Sequence, residues 1–130
     1  MKRLKLFEDY FSDKLDKQIS MMKKHKVGDI ISYTTLYDYV SALHDFDLDN
    51  EFIEDFIKEK SNFELKLLNI SDLDLYDVSQ TLVDEYKNEY KSTNWYPPIL
   101  YDEKNNLIID GYHRVKMLED LGESKVLAWV

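Results

Sequence analysis

The hydrophobic period of the chain changes at Phe63, and that change limits what it can fold into. Before it, apolar residues recur every three or four positions. Leu4, Phe7, Phe11, Leu15, Ile19 and Met22 fall on one face of a helix predicted from about Arg3 to Lys24. Lys23, Lys24 and Lys26 suit the negative end of its dipole, and Gly28 closes the segment. Ile30-Ile31-Ser32-Tyr33 leads into a short helix carrying Leu36, Tyr39, Val40 and Leu43. Asp49 is the expected N-cap of a third helix that buries Phe52, Ile53, Phe56 and Ile57. Its acidic residues Glu51, Glu54 and Asp55 lie towards the favourable N-terminal end.

From Phe63 the pattern alternates, as in a half-buried strand over Glu64-Leu65-Lys66-Leu67. A loop with Asp72, Asp74 and Asp77 precedes an amphipathic helix marked by Leu82, Val83, Tyr86 and Tyr90. Trp95-Tyr96-Pro97-Pro98 is expected to end that helix, because proline has no N–H and disfavours a helical residue before it. Ile99-Leu100-Tyr101 and Leu107-Ile108-Ile109 are predicted strands joined by the turn residues 102–106. Gly111 opens a helix with Val115, Leu118 and Leu121 inward, Gly122 stops it, and Lys125–Val130 is a last strand. The expected fold class is α/β (α+β): a small mixed sheet with helices in 63–130, behind a mainly helical region 1–62.

Composition narrows the function. There is no cysteine, so disulfides, thiolate zinc sites and thiol catalysis are excluded. His25 and His44 lack partners at metal spacing, and no metal site is assigned. No apolar run approaches the roughly 18–20 residues of a membrane span. The opening Met1-Lys2-Arg3-Leu4-Lys5-Leu6 meets Glu8 and Asp9 before an apolar stretch develops, which points to a cytoplasmic protein. A net charge of −9 argues against direct DNA binding, and Lys23-Lys24-His25-Lys26 reads as a solvated helix end.

One segment joins strand, glycine turn and helix start with polar groups: Ile108-Ile109-Asp110-Gly111-Tyr112-His113-Arg114. A helix N-terminus leaves amide N–H groups without intrahelical partners and carries partial positive charge, so it receives anions. Glycine lets the backbone approach phosphate oxygens. Arg114 offers a planar clamp and His113 a donor or proton carrier. Asp110 is suited to orient an arginine, bind Mg²⁺ or accept a proton. Each also has a plainer role, Gly111 in a tight turn, Asp110 as an N-cap, and Arg114 paired with Asp110, Glu119 or Asp120.

From about Phe63 to Val130 the order of parts resembles the ParB/sulfiredoxin superfamily. The resemblance rests on the strand Phe63–Leu68, the loop Asn69–Leu73, the helix around Leu82-Val83-Asp84, the entry Trp95-Tyr96-Pro97-Pro98-Ile99-Leu100, and Asp110-Gly111-Tyr112-His113-Arg114 followed by Leu118 and Leu121-Gly122. It implies that Gly111, Tyr112, His113 and Arg114 hold a nucleotide phosphate, with ATP, ADP or CTP and Mg²⁺ as candidate cofactors. It also implies that Asp110 would assist a phosphotransferase or NTPase step, for which the loop after the first strand offers Asp72 or Asp74 as candidate bases. Tyr112 stands where sulfiredoxins carry their cysteine, so that chemistry is excluded. The catalytic glutamate that the family's kinases place after the first strand has no counterpart here. On this reading Arg114→Ala weakens nucleotide binding and leaves folding largely intact. The alternative is a non-catalytic acidic protein-binding module, of the phage or mobile-element type, that blocks a basic nucleic-acid-binding partner. Ten tyrosines and two tryptophans supply interface anchors on that reading.

Overall fold

The computed structural model describes residues 15–44, 50–75 and 77–130. The chain divides into two compact units between Phe63 and Glu64.

In the first unit, helix α1 occupies residues 15–22 of the described chain, with Met22 buried and Leu15 and Ile19 half-buried. Leu4, Phe7 and Phe11 lie outside the described residues. The helix stops before Lys24, and Gly28 (φ 99°) belongs to a separate turn in which Asp29 N–H donates to the Lys26 carbonyl at 2.9 Å. Strand β1 (Ile30–Ser32) runs directly into α2 (Tyr33–Leu43), where the Ser32 hydroxyl accepts from Thr35 N–H at 3.3 Å. Helix α3 (Glu51–Lys58) is capped by Asn50, whose side-chain oxygen accepts from Phe52 N–H at 3.0 Å and Ile53 N–H at 3.3 Å. The expected cap, Asp49, lies outside the described residues. Leu36, Tyr39, Val40, Ile53, Phe56, Ile57 and Phe63 form the buried centre of this unit. Phe52, expected inside, is exposed. One residue is about 100° of helix, so a face centred on Ile53, Phe56 and Ile57 carries Phe52 to its edge.

The second unit is built on strands β2 (Asn62–Asn69), β3 (Ile99–Asp102), β4 (Leu107–Asp110) and β5 (Lys125–Trp129), in the spatial order β2-β5-β3-β4. β5 lies antiparallel to β2, pairing Leu65 with Trp129 and Leu67 with Leu127, and parallel to β3, pairing Ile99 with Ala128. β4 returns antiparallel to β3, with a register irregularity between Leu100 and Tyr101. The sheet is therefore mixed, and the fold belongs to the α/β (α+β) class. Leu65, Ile99 and Ile109 all stand in strands. Leu67, despite the alternation, is exposed.

Helix α4 (Gln80–Thr93) packs against helix α5 (Tyr112–Asp120), and α5 lies against β3 and β5. Ile70, Val83, Ile99, Ile108, Val115 and Leu118 are among the residues that fill the core between them. Of the apolar residues on α4, Val83 is buried and Tyr90 packs at the core's edge, whereas Leu82 and Tyr86 face outward. The helix does not end on the prolines. Asn94 ends it in the left-handed conformation (φ 55°), donating its N–H to the Tyr90 carbonyl at 2.7 Å. Helix α5 ends at Gly122 (φ 83°), with Gly122 N–H on the Glu119 carbonyl and Glu123 N–H on that of Leu118. Among the described residues no helix is long and apolar enough to cross a membrane.

Candidate functional site

Asp110 is the last residue of β4, Gly111 is the N-cap of α5, and Tyr112, His113 and Arg114 form its first turn. The chain must turn sharply here, because the helix folds back over the strands it has just left. Gly111 makes that possible with φ 117° and ψ 19°, a region that residues with a β-carbon rarely enter.

The bare α-carbon of Gly111 faces the protein interior. A β-carbon there would overlap the side chain of the fully buried Ile99, meeting its Cγ2 and standing 2.8 Å from its Cβ. It would also lie 3.1 Å from Nη2 of Arg114. Glycine is thus needed for packing of the turn onto β3.

Arg114 is buried, with 7% of its side chain exposed. Its Nη1 donates to the carbonyls of Pro97 at 2.8 Å and Pro98 at 3.1 Å, and its Nη2 donates to Oδ2 of Asp110 at 3.2 Å. The guanidinium therefore ties three segments together: the approach to β3, the end of β4 and the first turn of α5. A buried charge is tolerable when its donors are matched in this way. The expectation that Arg114→Ala would leave folding largely intact is corrected by this geometry, since removal would take the guanidinium donor from two proline carbonyls and break its ion pair with Asp110.

Tyr96 braces the same approach. Its hydroxyl accepts from Leu127 N–H of β5 at 3.1 Å, and its ring lies 5.8 Å from that of Tyr90 on α4. Burial pushes the Tyr96 phenol upward, and the Leu127 N–H opposes this in part.

On the outer side of the turn, His113 is half-buried and stacks on Tyr86 of α4, with ring centroids 6.0 Å apart and 24° between planes. Tyr112 packs at the edge of the core. Gly111, the N-cap of α5, brings no side chain of its own to cap the helix. Tyr86 and Tyr96 were not among the site residues expected from sequence. Tyr86 marks the apolar stripe of α4 in the sequence, and a helical period alone does not separate the inner face of such a stripe from its edge.

Asp72 stands apart from this set. It is exposed at the end of a 3₁₀ turn (Ile70–Asp72) after β2, where the Asn69 amide donates to its Oδ2 at 3.4 Å. Its charge, with those of Glu103 and Asp102, adds to the effect of burial in holding the Tyr101 phenol above its usual range. Asp74 and Asp77 are exposed. Among the described residues no three carboxylate or imidazole side chains converge as a metal site.

The chain is similar to a solved structure of a Pnob8-like ParB-N domain, at 21% identity and a TM-score of 0.41. The match covers 52% of this chain and 29% of that one, so the chain spans under a third of that protein. No protein-family model matches the chain. No curated protein matches it.

Proposed function

We propose that the turn Asp110–Arg114 binds a nucleotide phosphate at the N-terminus of α5. The observation that carries this reading is a helix start on glycine, fastened from beneath by Arg114. Helix N-termini attract anions through their first amides and the positive end of the dipole. A turn fixed before the ligand arrives loses little entropy on binding. The order of motifs resembling the ParB/sulfiredoxin superfamily supports the same reading.

In this proposal the amides of His113 and Arg114 receive the phosphate oxygens, and the His113 ring donates from the flank, steadied by Tyr86. Arg114 is a positioning residue, because its Nη groups are engaged by Pro97, Pro98 and Asp110. ATP, ADP and CTP are the candidate ligands, and Mg²⁺ would neutralise phosphate charge. Asp110, at the head of the turn, is the carboxylate placed to assist a phosphoryl-transfer step. Asp72, on its separate turn, is the second candidate acid–base group.

Isothermal titration with ATP, ADP and CTP, with and without Mg²⁺, tests the proposal. At least one nucleotide is expected to bind, and His113→Ala to weaken it about tenfold, the value of a hydrogen bond to a charged group. Absence of binding by all three would contradict it, as would equal affinity in the variant.

A further inference from the structure

The N-terminal unit contains a cleft of its own, about 280 Å³ in volume, between the first half of α2 and the second half of α3. That is just below the roughly 300–1,000 Å³ of typical small-molecule pockets, and it suits a single side chain better than a nucleotide. Tyr33 and Tyr37 line it from α2, four residues apart and so on one helix face. The fully buried Ile57 closes its base. Asp38 contributes a carboxylate from α2, and Glu54 another from α3.

The cleft's one cation is held loosely. Lys58 approaches Glu54 at 3.7 Å with 63% of its side chain exposed, so an entering cation can displace it at little cost. The negative end of α3 lies at this cleft and favours a cation, and at the start of α2 the Ser32 hydroxyl accepts from Thr35 N–H at 3.3 Å while Tyr33 N–H donates to the Ser61 carbonyl at 3.0 Å. Two carboxylates and a net charge of −9 disfavour an anion, and two phenol rings line the cleft, a residue type whose π-face attracts cations.

We infer that this cleft receives an arginine side chain from a basic protein segment. The guanidinium would lie against the Tyr33 and Tyr37 rings and pair with Asp38 and Glu54. Arginine fits better than lysine because its planar group stacks on aromatic rings, bonds carboxylates in parallel pairs and is less strongly hydrated. The site is separate from the Asp110–Arg114 turn and does not depend on nucleotide binding.

The test is an amide NMR titration of the full chain with a blocked pentapeptide, Gly-Ser-Arg-Ser-Gly, and with versions carrying lysine or the neutral isostere citrulline in place of arginine. Saturable shifts at Tyr33, Tyr37, Asp38 and Glu54 are expected, strongest for arginine and absent for citrulline. Asp38→Asn, at an exposed position, should weaken the arginine peptide about threefold to fivefold, as loss of a surface ion pair does. Tyr33→Leu, also exposed, should weaken it as well. Shifts of equal size with citrulline, shifts centred elsewhere, or no change in either variant would overturn the inference.

Discussion

A methyl group at position 111 would have to share space with Ile99, and the backbone there would hold a side chain at φ 117°. Gly111→Ala is therefore expected to destabilise the C-terminal unit by about 3 kcal/mol, from backbone strain and overpacking together. A urea midpoint equal to that of the unaltered chain would refute the packing role. Arg114→Ala should cost about 3 kcal/mol, at the lower end for breaking a buried pair because Asp110 is partly exposed. Arg114→Lys should recover part of that, since one ammonium cannot serve both proline carbonyls and Asp110 together. Thermal melts of the two variants check the ranking, and an Arg114→Ala protein of undiminished stability would contradict it. The Asp110–Arg114 pair was among the sequence expectations, being four residues apart at a helix start. Its anchorage on Pro97 and Pro98 was not, because those contacts cross 17 and 16 residues and involve backbone carbonyls that no side-chain pattern encodes.

At the scale of elements, the strands and helices of 63–130 were legible because glycine and proline are scarce and mark real boundaries. The end of α4 was misread. Proline is the stronger breaker by composition, but Asn94 reaches the left-handed conformation first and captures the Tyr90 carbonyl. The prolines act one step later, on the approach to β3, where their carbonyls receive Arg114. The outward turn of Leu82 and Tyr86 was equally hidden, since the width of the covered stripe depends on how α5 lies against α4. Tyr96 joins these elements and gives them a pH dependence. Its phenol is raised in the folded chain by burial, so its contribution is complete below the unfolded value of about 10 and is lost as pH rises through the folded value. Stability should fall from about pH 10 upward, and Tyr96→Phe should flatten that fall while costing about 1 kcal/mol at neutral pH through the lost Leu127 bond. Urea unfolding across alkaline pH measures both effects. An unchanged alkaline slope in the variant would assign the dependence to the other buried phenols, Tyr39 and Tyr101.

At the scale of the whole molecule, the two units carry different chemistry. The C-terminal unit offers a helix start fastened by Arg114, where phosphate binding is proposed, and the N-terminal unit offers an acidic, aromatic cleft, where an arginine is proposed. The division between them falls between Phe63 and Glu64, within β2. The cleft was not legible in sequence. Its residues come from two helices, and each alone reads as an ordinary exposed face. The proposed hold on phosphate by the first turn of α5 is tested most directly by an amide NMR titration of the full chain with ADP and Mg²⁺. Saturable shifts centred on the amides of Gly111, His113 and Arg114, with Tyr33, Tyr37 and Asp38 unmoved, are the predicted result. Unshifted α5 amides at millimolar nucleotide, or shifts centred on another part of the chain, would contradict it.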